Sequence, residues 1–82
     1  MYKNKAENGK NNLCGRHIQQ IRKNMPQKIS QRQLADWLTL AGLELDKNAI
    51  QRIESGERFV TDIELKVISE VLGVSYEELL ND

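Results

Sequence analysis

Cysteine, proline and aromatic residues are scarce in this 82-residue chain, and each shortage narrows the structures it can form. The single cysteine, Cys14, cannot form an internal disulfide, so a small disulfide-stapled scaffold is excluded. The single proline, Pro26, leaves long stretches in which helices can run without interruption. Only four aromatic residues are present, so leucine and isoleucine must fill the core. Their spacing is helical rather than alternating. The expected fold class is all-α.

The sequence also lacks a long hydrophobic run. No apolar stretch approaches the roughly 18 residues that a membrane-spanning helix requires, and the polar N-terminal residues do not resemble a signal peptide. We therefore expect a soluble cytoplasmic protein with no membrane partner. A chain of this length can form one small domain with a modest core.

Four predicted helix starts share one local signature, a side chain that can accept hydrogen bonds from the amides of the first turn. These capping residues are Ser30, Asp46, Thr61 and Ser75, and three of them are followed at the capping-box spacing by Gln33, Glu64 and Glu78. Glycines at positions 42, 56 and 73 follow apolar stripes and mark helix ends. The pattern predicts a compact five-helix bundle with helices at about 13–25, 31–41, 47–55, 62–72 and 76–80. Residues 13–82 form the domain, after a flexible tail of residues 1–12.

The net charge is zero, but the two parts of the chain carry opposite charges. Residues 1–52 hold ten Lys/Arg and four Asp/Glu, a balance of +6, whereas residues 53–82 hold two Lys/Arg and eight Asp/Glu, a balance of −6. A phosphate backbone responds to the charge of the face it meets rather than to the sum. The first part is therefore suited to nucleic acid, although attraction between the two parts explains the same asymmetry.

The segment after Asp46, KNAIQRIES, predicts a short helix with one small buried face. At about 100° per residue, Ala49, Ile50 and Ile53 fall on the same side. The remaining surface presents Lys47, Asn48, Gln51, Arg52 and Ser55. Asn and Gln can pair with adenine, and Arg or Lys with guanine, at the edges of the major groove. A solvated helix face has a similar composition, but here a capped helix and a glycine turn precede it, as in a helix-turn-helix pair.

Three stretches of the chain resemble the XRE family, the Cro and phage-repressor type of helix-turn-helix domain. They are S-Q-x-x-L-A at 30–35, I-x-x-I-E-x-G at 50–56 and DIELKVISEVLGVS at 62–75. The resemblance covers about residues 13–80, and the combination of motifs makes it specific. It implies a lambda-repressor-like bundle that acts as a sequence-specific regulator on double-stranded DNA. A homodimer on a palindromic operator is expected.

The resemblance also assigns roles to individual residues. The start of the third helix reads bases in that family, and the corresponding base-contacting set here is Lys47, Asn48, Gln51 and Arg52. The expected phosphate contacts are Gln31, Lys28, Arg32 and Arg58. An arginine of the first helix usually pairs with the glutamate of I-E-x-G, so Arg22 and Glu54 are expected to form a structural ion pair.

The turn between the second and third helices is longer than is common in the family. Eleven residues separate Leu38 from Ile50, and the surplus lies in LAGLELD. We expect this extended turn to stay ordered by packing Leu40, Leu43 and Leu45 beneath Trp37, a boundary aromatic.

Other functions have less support in the sequence. Cys14 and His17 stand one helical turn apart, but a structural zinc site needs four ligands and no further Cys or His exists. No catalytic constellation is present, so the chain is not expected to be an enzyme, and no cofactor or small-molecule effector is expected. The remaining alternative is a protein-interaction module, such as an antitoxin-like partner, with weak or lost DNA binding. The Asn- and Lys-rich tail could also follow DNA as a basic arm rather than remain disordered.

Overall fold

The computed structural model describes residues 9–81, and the regular secondary structure in this part of the chain is α-helix, without strands. Its five helices are α1 (Gly15–Asn24), α2 (Gln31–Leu40), α3 (Lys47–Ser55), α4 (Asp62–Leu72) and α5 (Tyr76–Leu80). The predicted all-α five-helix bundle is confirmed. Among the described residues, no helix is both long enough and apolar enough to cross a bilayer.

The predicted caps form at all four helix starts. The side chains of Ser30, Asp46, Thr61 and Ser75 each accept a hydrogen bond from the amide three residues on. Reciprocal capping boxes close at α2 and α4, where the side chains of Gln33 and Glu64 accept from the backbone N–H groups of their caps. At α5 the predicted capping box forms only in part, because the Ser75 backbone amide does not donate to Glu78. Glu78 accepts from the Ser75 hydroxyl rather than from the Ser75 backbone amide, so only the Ser75 side chain caps that helix.

The predicted glycine stops also form. Gly56 ends α3 with φ of 86° and Gly73 ends α4 with φ of 69°, both in the left-handed region that favours glycine. Gly42 has φ of 95° and follows Ala41, the C-cap of α2. Helices α2, α3 and α4 therefore end at glycines in the left-handed region, where the backbone turns into the next connection.

The N-terminal region differs from the expectation. Helix α1 begins at Gly15 rather than at about residue 13, and the Asn12 side chain accepts a hydrogen bond from Gly15 N. Residues 10–12, predicted as part of a flexible tail, form hydrogen bonds with the C-terminal end of α3 and the connection after it. We name Lys10–Asn12 the N-terminal clasp. Residues 1–8 of the predicted tail lie outside the described residues.

One apolar core lies between the helices. Helix α1 packs on α3 and α5, α2 packs on α3 and α4, and α4 packs on α5. The buried apolar side chains are Cys14, Ile18, Ile29, Leu34, Ala35, Leu38, Leu45, Ile50, Ile53, Ile68, Leu72 and Leu79. Because α3 contributes Ile50 and Ile53 to this core, one face of the helix is held against the rest of the bundle.

The extended turn between α2 and α3, residues 41–46, is ordered by packing. Leu45 is buried in the core, Leu43 packs against it, and Leu43 N donates to Leu38 O at 2.8 Å. The prediction that Leu40 also packs here is wrong, because Leu40 ends α2 on the outer face and is 87% exposed. Trp37 lies at the boundary with 37% exposure.

Candidate nucleic-acid interface

Helix α3 presents a polar face to solvent while its other face is held in the core. Ile50 and Ile53 are 2% and 1% exposed. The four predicted base-contacting side chains, Lys47, Asn48, Gln51 and Arg52, are all exposed. Asp46 caps the helix through Ala49 N at 2.7 Å, which fixes the first turn where Lys47 and Asn48 stand. The arrangement leaves hydrogen-bonding side chains available along one side of a rigid rod.

Helix α2 forms the second wall of the same surface. A shallow groove between α2 and the start of α3 is lined by Arg32, Ala35, Asp36, Thr39, Leu45, Asp46, Lys47 and Asn48. Arg32 and Lys28 are exposed, and Lys28 lies on the connection that leads into α2. Positive charge therefore comes from both helices, although Asp36 and Asp46 interrupt it. Asp36 and Thr39 were not predicted, because nothing in the spacing of α2 distinguishes groove-facing polar residues from ordinary surface residues.

A buried ion pair connects α1 to α3. Arg22 Nε and Nη2 donate to the two carboxylate oxygens of Glu54, both at 2.8 Å, and Arg22 Nη1 donates to Ile29 O at 2.9 Å. Both residues are 8% exposed, and their contact raises the pKa of the Arg22 guanidinium above its ordinary value. Arg22 and Glu54 thus make the contact expected of them, and it fixes α3 against α1.

Gln31 joins this network at the first residue of α2. Its Nε2 donates to Glu54 Oε1 at 2.9 Å, and the side chain is only partly exposed. A primary amide carries two N–H groups, so the bond to Glu54 occupies one and fixes the direction of the other. One carboxylate therefore orients side chains from α1 and α2 together.

Arg58, one of the predicted phosphate contacts, forms an ion pair within the chain. Its Nη1 and Nη2 donate to the two carboxylate oxygens of Glu64, both at 2.9 Å. The pair is bidentate and partly exposed, and Glu64 also closes the capping box of α4. The Arg58 charge is balanced locally. Sequence spacing gave no sign of this, because residues 58 and 64 meet only through the bend between α3 and α4.

The Arg58–Glu64 pair predicts a pH dependence of stability. The hydrogen bonds from Arg58 hold the pKa of Glu64 below its ordinary value. Because the unfolded carboxylate binds a proton first, this stabilisation is present above the unfolded pKa and is lost as the pH falls through the folded pKa. We expect the stability difference between wild type and Glu64→Gln, measured by urea unfolding at stepped acidic pH, to shrink on acidification. A difference that is constant across the acidic range would contradict the assignment.

Cys14 and His17 do not form a second site. Burial raises the pKa of the Cys14 thiol to about 11, so it stays protonated at neutral pH and packs as a small apolar side chain. Within residues 9–81, no group of three or more His, Cys, Asp and Glu side chains is arranged to hold a metal ion. His17 lies half-buried on α1, beside a groove shared with α5.

Two further features next to α3 were not predicted. Phe59 is 54% exposed in the connection after α3 and lines a shallow groove with Arg52, Glu57 and Arg58. The N-terminal clasp lies against the end of α3. The one sequence signal for its order is Asn12, which stands three residues before Gly15 at the spacing of a capping side chain. No sequence signal indicated the exposed position of Phe59, because residues in connections between helices show no hydrophobic periodicity.

Comparison with known proteins agrees with this geometry. The helix-turn-helix family model matches residues 18–79, and the chain belongs to this family, in its XRE type. Among solved structures, the chain is similar to the restriction-modification controller protein C.AhdI from Aeromonas hydrophila, with 25% sequence identity and a TM-score of 0.65. The match covers 79% of this chain and 84% of that one. No curated protein matches the chain.

Proposed function

We propose that this protein is a sequence-specific regulator of transcription that binds double-stranded DNA by inserting α3 into the major groove. The observation that carries the proposal is the division of α3 into a face buried in the core and an exposed face of Lys47, Asn48, Gln51 and Arg52. Membership of the helix-turn-helix family and likeness to a controller protein support it. No catalytic role is part of the proposal.

The contacts divide into two classes in this proposal. Side chains of the first turns of α3 approach base edges, where Asn48 and Gln51 suit adenine and Lys47 and Arg52 suit guanine. Lys28, Arg32 and the second N–H of the Gln31 amide approach phosphate, which fixes the register of α3 but reads no sequence. Arg58 is left out of the phosphate set because Glu64 holds its guanidinium.

Duplex DNA binding tests the proposal. Selection of bound sequences from random duplexes should return a common site, and the logarithm of affinity should fall linearly with the logarithm of salt concentration. The alternative, a protein-interaction module without DNA binding, predicts a slope near zero and no enriched site. The acidic charge of residues 53–82 is what keeps that alternative open.

The same proposal includes a homodimer, since one module of about 600–1,000 Å² binds DNA weakly alone. Helices α4 and α5 share a largely apolar surface groove, in which Ile63, Tyr76 and Leu80 are 71%, 49% and 38% exposed. Asp62 and Lys66 line the same groove with opposite charges. A two-fold axis can therefore bring Asp62 of one copy beside Lys66 of the other. Leu79 is fully buried while Leu80 faces outward, as expected for two consecutive residues of α5.

Ile63→Glu is expected to abolish the dimer. The substitution adds a desolvated charge to the apolar groove, while an acidic residue in the first turn of α4 suits the helix dipole and preserves the fold. Sedimentation velocity without DNA should give twice the 9.5 kDa monomer mass for wild type and the monomer mass for the variant. Leu40→Glu, at an exposed leucine outside this groove, should remain dimeric. A wild-type protein that is monomeric at every concentration would rule out the homodimer.

A further inference from the structure

The N-terminal clasp meets the end of α3 through a set of backbone carbonyls. Lys10 Nζ donates to Ser55 O, Asn11 N to Gly56 O and Asn11 Nδ2 to Glu57 O, each at 2.8 Å. Asn12 Nδ2 donates to Ile53 O at 3.1 Å and to Arg58 O at 2.7 Å. Three residues of the clasp thus bind five carbonyl oxygens between positions 53 and 58.

Two of these oxygens, Ile53 O and Ser55 O, belong to the last turn of α3, and the other three belong to its cap and to the connection that follows. The last four C=O groups of an α-helix lack intrahelical partners and normally turn to water, a cap or a tighter turn. In α3 the cap residue Gly56 donates back to Ile53 O and Arg52 O, and the clasp adds one donor to Ile53 O and one to Ser55 O. The C-terminal end of α3 is therefore held by a segment more than forty positions away in sequence.

Asn12 joins two helices through one amide group. Its Oδ1 accepts from Gly15 N at 2.8 Å, at the start of α1, while its Nδ2 bonds Ile53 O at the end of α3. The two helix ends are in close approach here, because a Cβ at Gly15 would overlap the carbonyl oxygen of Ile53. Any change in the direction of α3 must therefore be accommodated at Asn12.

We propose that the N-terminal clasp is a positioning element for α3, with Asn12 as the residue that fixes the angle at which α3 enters the groove. The inference rests on the proposed function. Asn48 stands near one end of α3 and the clasp holds the other, so a small rotation about the held end displaces the base-reading side chains most. Non-specific binding through phosphates needs no such alignment.

Two substitutions of Asn12 separate positioning from simple helix capping. Asn12→Asp keeps an oxygen that can accept from Gly15 N, at a helix start that favours negative charge, but it replaces the donor that faces Ile53 O and Arg58 O. Asn12→Ala removes both functions. If Asn12 only caps α1, Asp must rescue what Ala loses. If Asn12 positions α3, both variants must lose operator preference.

The experiment measures the affinity of each folded variant for the selected site and for random duplex at the same salt concentration. Asn24→Asp, at the exposed last residue of α1, is the matched control for the added charge. We expect Asn12→Asp and Asn12→Ala each to lower the ratio of specific to random affinity about tenfold, the effect of losing one to two hydrogen bonds. The control should keep the wild-type ratio.

Amide hydrogen exchange supplies a readout that is independent of DNA. In Asn12→Asp the last turn of α3 should exchange faster than in wild type, while α4 should keep its wild-type rates. Operator preference equal to wild type in Asn12→Asp overturns the positioning role, as does unchanged exchange in α3. A wild-type protein that prefers no sequence overturns the proposed function itself, and the role of the clasp in reading with it.

Discussion

Glu54→Gln is expected to lower the free energy of unfolding by about 3–5 kcal/mol, because it leaves the Arg22 guanidinium buried without a charged partner. Arg22 and Glu54 are each 8% exposed, and Glu54 accepts from Arg22 twice and from Gln31 once. Glutamine has the shape of glutamate and creates no cavity, so the loss reports electrostatics and hydrogen bonding. Urea unfolding at neutral pH, followed by circular dichroism, measures it.

The chain carries a matched control for this prediction. Arg58 and Glu64 form the same bidentate contact, but their side chains are 31% and 13% exposed. Glu64→Gln keeps a side chain that can complete the capping box of α4 and should cost only about 1 kcal/mol, the upper end of the range for surface ion pairs, because the pair is partly exposed. Equal losses in the two variants would show that burial of the Arg22–Glu54 pair does not set its contribution.

The second large effect is expected on DNA recognition. Asn48→Ala and Arg52→Ala should each relax preference at one base pair by about 1–3 kcal/mol per half-site. On a palindrome both half-sites are affected, so the discrimination lost by a dimer is about 2–6 kcal/mol. Both side chains are exposed and outside the core, so the fold should keep its stability. Competition binding between single-base variants of the selected site measures the change.

Arg32, which we propose contacts phosphate, should give the opposite pattern and serves as the control. Arg32→Ala should weaken binding to all sequences alike and reduce the salt slope by about one for each module. Uniform weakening in Asn48→Ala and Arg52→Ala, with no change in base preference, would contradict the assignment of α3 as the reading helix.

Most of the fold could be predicted from local chemistry. Ser30, Asp46, Thr61 and Ser75 act as caps because a side-chain oxygen next to free amides has one favourable geometry, and the left-handed glycines end helices for an equally local reason. The bounds of α2 to α5 follow from those signals. The exposed face of α3 follows from helical periodicity alone.

The features that escaped prediction depend on contacts between distant positions. Asn12 reads as part of a polar tail until the end of α3 is placed beside it, because its partners, Ile53 O and Arg58 O, are backbone atoms that carry no sequence signal. The pairing of Arg58 with Glu64 also escaped prediction, because only the bend after α3 brings the two side chains together. Leu40 was expected to pack beneath Trp37 because it is apolar, but it is the last residue of α2 and lies on the exposed face of that helix.

The contacts that anchor α3 and the side chains assigned to bases lie on opposite faces of the helix, and this separation affects how new binding preferences can arise. The contacts that anchor this helix come from Ile50, Ile53, Glu54 and the backbone of its last turn. The side chains assigned to bases stand on the opposite face and belong to none of these contacts. Positions 47, 48, 51 and 52 can therefore be exchanged together without loss of the bundle. The protein is a scaffold whose operator could be redesigned by a four-position library, screened for binding without prior selection for folding.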